Sequence, residues 1–241
     1  MILANLRERL TRSDLDLMVR VLSHGDGVKR DALERTLATD GPDAVLDLPE
    51  LPDALRRHRA VGGPSPALYL YVTVRQALKN AGIDDPRLAD YLGALLLEFG
   101  LRRRAYRVSP HSEQEYRYLS DIVADLETVT ERTGFLLRVH LGNFSLWIAG
   151  VFPDYVTARR ARRGGPDFSY YDTMGARGFR MASDHRLARE LELDGLYAQV
   201  ADSFAEIRVA LNRLSDRLFF PDRSSPDRLM RQVADEFNLR H

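Results

Sequence analysis

Cysteine is absent from the 241 residues, which removes disulfides, thiolate metal sites and cysteine nucleophiles together. Charge of one sign is missing too: 35 basic residues face 35 acidic ones, so no global field favours wholesale coating of nucleic acid. Lysine is almost missing, since only Lys29 and Lys79 break a run of arginines. The guanidinium fork suits bidentate capture of phosphate or carboxylate. The arginines are nevertheless spread through every segment, as a bias in base composition would leave them. No alternating strand pattern competes with the helical periodicity, and no internal repeat or low-complexity tract occurs. Phosphate loops of the GxGxxG or Walker kind, a GxSxG elbow and a Glu-x-x-His pair are all lacking.

Long hydrophobic runs are scarce, and the one that exists is unusual. Residues Phe135 to Phe152, FLLRVHLGNFSLWIAGVF, have about the length of a membrane span. Arg138, His140 and Asn143 would each cost a few kcal/mol at a bilayer centre. The run therefore reads as a buried core helix, and no membrane is expected. The opening MILANLRERL is too short in apolar residues and too charged for a secretory signal, so the expected location is the cytoplasm.

Hydrophobic content of 44% and charged content of 29% suit a globular protein large enough to bury a core without staples. Apolar residues recur at helical spacing nearly throughout. Short stripes at Leu15–Leu22, Leu88–Phe99 and Leu119–Val129 each predict a helix. The LYLYVTV stretch leads straight into RQALKNAG, so Pro66 to Asn80 reads as one buried helix. Leu196, Val200, Phe204, Ile207, Leu211, Leu214 and Leu218 form a near-heptad stripe, a candidate dimer surface. Leu229, Met230, Val233 and Phe237 predict a terminal helix after Pro226. The expected fold is all-α: a multi-helix bundle over residues 64–220, a small N-terminal helical unit over 1–63 ending in a Pro/Gly-rich linker, and a helix in 221–241 packed on the bundle.

Four constellations could carry chemistry. His140 and Asn143, three apart on the apolar run, share a helix face, and a histidine there can be a ligand, a base or a hydrogen-bonded core residue. No second metal ligand stands one turn away, so no metal is expected. Tyr170, Tyr171 and Arg177 edge a stripe containing Gly175 and Gly178, where either a helix or a flat ligand could approach the backbone. Arg159, Arg160, Arg162 and Arg163 precede Gly164-Gly165, a possible anion site within the basic segment 157–189; the segment 113–131 is acidic and is read as a helix. Lys29 and Arg30 open the second helix of a possible helix-turn-helix over 14–37, with Asp31 and Glu34 beside them.

These observations favour a binding, regulatory or assembly module over an enzyme, with a homo-oligomer or protein partner expected and the cofactor unknown. Two alternatives stay open. One is a ligand-responsive DNA-binding regulator using Lys29 and Arg30. The other is a small-molecule binder or enzyme with a pocket near His140, Asn143, Tyr170, Tyr171 and Arg177.

Overall fold

The computed structural model describes residues 1–58, 63–101, 103–129, 131–219 and Arg231. Among them lie thirteen α-helices and no strand: the protein is an all-α bundle. The predicted helix at Leu229–Phe237 lies outside the described residues, Arg231 apart. Contacts group the chain into two compact units, one of Ile2–Gln76 with Asp85–Leu97, the other of Met1, Ala77–Asp84 and Glu98–His241. This grouping is drawn differently from a division at residues 63/64. Proline and glycine mark where a chain turns, not which later segment packs beside which.

In the N-terminal unit a capping box starts α1 (Arg12–Ser23): the Thr11 side chain accepts from the Asp14 amide, and the Asp14 carboxylate accepts from the Thr11 amide at 2.9 Å. His24 and Gly25 take positive φ angles in the turn. Asp26 then caps α2 (Gly27–Thr39) by accepting from Val28 at 2.9 Å. The short helices α3 (Pro42–Leu46) and α4 (Leu51–Arg57) follow. Arg75, buried on α5 (Pro66–Asn80), grips Asp47 through two hydrogen bonds of 2.9 Å. Helix α6 spans Pro86–Gly100. Both α5 and α6 follow the sequence reading, α6 from its proline start and apolar stripe and α5 from the apolar LYLYVTV stretch that leads into RQALKNAG.

The C-terminal unit is organised by a seam of glycines. Helices α8 (Glu131–Leu146) and α10 (Phe168–Ser183) cross where Gly142 meets Gly178. A Cβ on Gly178 would lie 2.8 Å from the Gly142 nitrogen and 2.9 Å from the Arg138 carbonyl oxygen. Gly175 is covered in the same way by the Phe204 ring. The glycine stripe is thus taken up by helix packing at Gly175 and Gly178. Around the seam lie α7 (Leu119–Leu126), α9 (Pro153–Arg163), α11 (Arg186–Glu190), α12 (Asp194–Asp202) and α13 (Phe204–Phe219).

Three sequence expectations change in detail. The acidic segment 113–131 is not one helix: residues 112–117 run without helical structure before α7, pinned by the Tyr116 amide donating to the Tyr106 carbonyl at 2.7 Å. The near-heptad stripe breaks at Ser203 into α12 and α13, and its residues from Leu196 to Leu214 are buried in the unit's own core. Finally, the apolar run 135–152 is not a single helix. It leaves α8 through a five-residue π turn, Trp147–Val151, and bends by 89° into α9. Among the described residues no single helix is long and apolar enough to cross a membrane.

Candidate ligand-binding trough

The π turn has an identifiable cause. Pro153 heads α9 and offers no amide hydrogen, so carbonyls of the preceding turn lose the donor a continuous helix would supply. Helix α13 supplies it from the side. The Asn212 amide donates to the carbonyls of Ala149 at 2.7 Å and Gly150 at 2.8 Å, and the Ser215 hydroxyl to that of Val151 at 2.6 Å. Asn212 is held in turn by Arg208 (3.3 Å), whose Nε donates to Asp172 on α10 at 2.8 Å.

Widening the turn changes which side chains reach the surface. From Phe144, an α-helical face would continue through Trp147 and Ile148 to Val151. Here Val151 is buried instead, and Phe152 emerges 41% exposed. Phe144, Trp147, Ile148, Phe152 and Tyr155 line one side of a surface trough. The Trp147 ring stands edge-on to Phe99 at 5.8 Å and to Phe152 at 5.2 Å.

The opposite side is the segment after α6: Phe99 to Leu101, Arg103, Ala105, Tyr106, Arg117 and Tyr118. Glu115 organises it, pairing with Arg107 at 3.1 Å, Arg103 at 3.2 Å and Arg117 at 3.8 Å. The main hollow encloses about 610 Å³. A smaller one of about 170 Å³ adjoins it, sharing Arg117, Tyr118, Phe144, Ile148 and Tyr155, and is closed by Arg159, Pro166, Tyr170 and Tyr171. Among the described residues no carboxylate lines either hollow.

Arg159 is the key cation of the smaller hollow. Its guanidinium lies 5.2 Å from the centre of the Tyr118 ring, and its Nη1 is 3.5 Å from the Tyr155 hydroxyl. It makes no ion pair among the described residues. Burial pushes the neighbouring Tyr171 phenol above its ordinary pKa, against the pull of Arg159. That hydroxyl therefore stays protonated at neutral pH and can donate.

The structure separates the residues singled out in the sequence. Tyr170, Tyr171 and Arg159 meet in the trough. Arg160 instead pairs with Asp167, the N-cap of α10, while Arg162 and Arg163 point to solvent at the end of α9, where cations suit the helix dipole. Arg177 is exposed on α10 and does not line the trough. His140 and Asn143 are buried on α8 at 3% exposure each, and neither lines it.

His140 sits among the Phe99, Tyr116 and Phe144 rings at about 6 Å each. Its Nε2 has no hydrogen-bond partner among the described residues. Desolvation, then the nearby charges of Arg104 and the N-terminus, lowers its pKa to about 3. It is a neutral aromatic block behind the trough wall, not a general base at neutral pH. Lys29 and Arg30 are exposed at the start of α2 in the N-terminal unit, where Arg30 pairs with Glu34 at 2.8 Å. Among the described residues no group of three histidine or carboxylate side chains could hold a metal.

Sequence reasoning missed Trp147, Phe152, Tyr155, Tyr118 and Arg117. One signal was available: Tyr155 and Arg159 stand four apart in a polar helix headed by proline, an exposed aromatic–cation pair. Compared with family models, curated proteins and solved structures, the chain matches none.

Proposed function

We propose that this protein is a binding module whose working surface is the aromatic–arginine trough of the C-terminal unit. One observation carries the reading. Of the nine large apolar side chains exposed among the described residues, six (Leu101, Tyr106, Tyr118, Phe152, Tyr155 and Tyr170) line these two adjoining hollows. Exposed apolar residues scattered singly need no explanation, whereas a gathered patch with arginine at its edge is the composition of a recognition site. A volume of about 610 Å³ falls within the range of small-molecule pockets. Among the described residues the trough holds no nucleophile–base pair and its nearest histidine is buried and neutral, which favours binding over catalysis. The near-heptad stripe is spent inside the core, so the trough is also the better place for a partner to dock.

The chain's only tryptophan, Trp147, lies in this trough and makes the test direct. A panel of organic anions, neutral aromatics and acidic peptides is screened by thermal shift, and hits are followed by tryptophan emission. The expected result is a rise in Tm together with a change in Trp147 emission, both abolished in Tyr155→Ala. Hits that raise Tm while Trp147 emission stays constant would place binding elsewhere and refute the reading.

A further inference from the structure

The geometry points to an organic anion as the ligand: a flat, largely aromatic body in the larger hollow and a phosphate, sulfonate or carboxylate group seated on Arg159 in the smaller one. This rests on the trough being the binding surface and adds what it recognises.

Charge supports the anion. Four guanidiniums, those of Arg103, Arg107, Arg117 and Arg159, stand in or beside the two hollows, and Glu115 is the carboxylate that pairs with three of them. Arg159 is spared even that. A guanidinium fixed against the Tyr118 ring and the Tyr155 hydroxyl is preorganised, so little side-chain entropy is lost when it captures an oxyanion. The Tyr170 and Tyr171 side chains close the same end, and phenol hydroxyls donate to oxyanions as guanidiniums do.

Size and lining support the division of the ligand. About 170 Å³ admits a charged head and its immediate linker, and the adjoining 610 Å³ takes a body of several rings. Tyr118 and Tyr155 border both hollows, and Trp147 and Phe152 line the larger one. Such walls favour offset or edge-on stacking against a flat partner over the looser contact of an alkyl chain.

The test uses two probes that share their rings and differ in charge: anilinonaphthalene sulfonate and the uncharged phenylnaphthylamine, titrated into the full chain. Energy transfer from Trp147 to either probe reports binding, and its loss in Tyr155→Ala places that binding at the trough. The sulfonate is expected to bind about tenfold or more tightly than the neutral probe, and millimolar inorganic phosphate to displace it selectively. Arg159→Gln should remove that preference while leaving the affinity for the neutral probe and the Tm unchanged, and Arg159→Lys should restore part of it. Equal affinities for the two probes, or a preference that survives Arg159→Gln, would overturn the anion seat while leaving the trough standing. Absence of transfer from Trp147 to both probes would remove the trough reading and this inference together.

Discussion

Replacing Asn212 with leucine tests the physical basis of the trough. The side chain is 1% exposed and donates both amide hydrogens, to Ala149 and Gly150. Leucine keeps the heavy-atom count and branching of asparagine but is bulkier, so no cavity is left and the loss of hydrogen bonding is joined by some overpacking. Leaving a buried acceptor unsatisfied costs about 1–3 kcal/mol, which for two carbonyls gives about 2–6 kcal/mol. Against the 5–15 kcal/mol of a typical domain this is a large fraction. Urea denaturation of the purified chain, monitored by circular dichroism, reads the change in midpoint, and near-native emission of Trp147 reads the turn. The prediction is a loss of at least about 2 kcal/mol with altered Trp147 emission under native conditions. A variant within about 0.5 kcal/mol of the parent, the range of an ordinary surface change, would show that Asn212 does not support the π turn.

The remaining expectations concern the core and its charges. Gly178→Ala should destabilise by about 1–3 kcal/mol through overpacking, despite a gain of about 1 kcal/mol in helix propensity; equal or greater stability by the same denaturation assay refutes the backbone contact at the seam. Arg208→Met removes the buried guanidinium bound to Asp172 and should cost about 3 kcal/mol, with Trp147 emission altered as in Asn212→Leu. His140 has a folded pKa near 3 against 6.5 unfolded, so between those values the unfolded chain binds the extra proton and stability falls as pH falls. The protonation penalty reaches up to about 5 kcal/mol at the acid end. Stability curves of the parent and His140→Leu, compared from pH 7 to pH 3, should therefore converge or cross as the parent alone loses this contribution; parallel curves would refute a neutral buried imidazole.

Much of the helical scaffold could be read from the chain because amphipathic spacing is a local property. Pro86–Gly100 declares itself by a proline start and an apolar stripe, and Pro66–Asn80 by the way LYLYVTV, strand-like in composition, runs straight into RQALKNAG. The breaks were harder. Nothing within Leu196–Leu218 reveals that Ser203 interrupts the helix, because the apolar rhythm continues across it. The π turn was hidden for a related reason: its stability comes from Asn212 and Ser215, more than sixty residues downstream. Of the trough, Tyr170, Tyr171 and Arg159 were picked out by their neighbours in sequence, while Arg177 and His140 were picked out on the same grounds and sit elsewhere. The run RVSPHSEQEYRYLS has no apolar period ahead of Leu119, and reading a helix from 113 onward overran the true start of α7. The role of Arg117 and Tyr118 emerges only when Glu115 gathers the arginines around it.

The glycine contact between α8 and α10 bears on how the trough can respond to an occupant. Where two helices touch main chain to main chain, no side chain between them can change rotamer to take up a displacement. Phe144 on one helix and Tyr171 on the other are consequently fixed to a common stiff plate, and the back of the trough keeps its shape. Any accommodation of a ligand falls to the front, to the segment tied together by Glu115 and to the arm bearing Tyr155 and Arg159. Selectivity for the ring body is then a matter of rigid fit, while the arm carries its preset Arg159 seat as one piece onto the charged group.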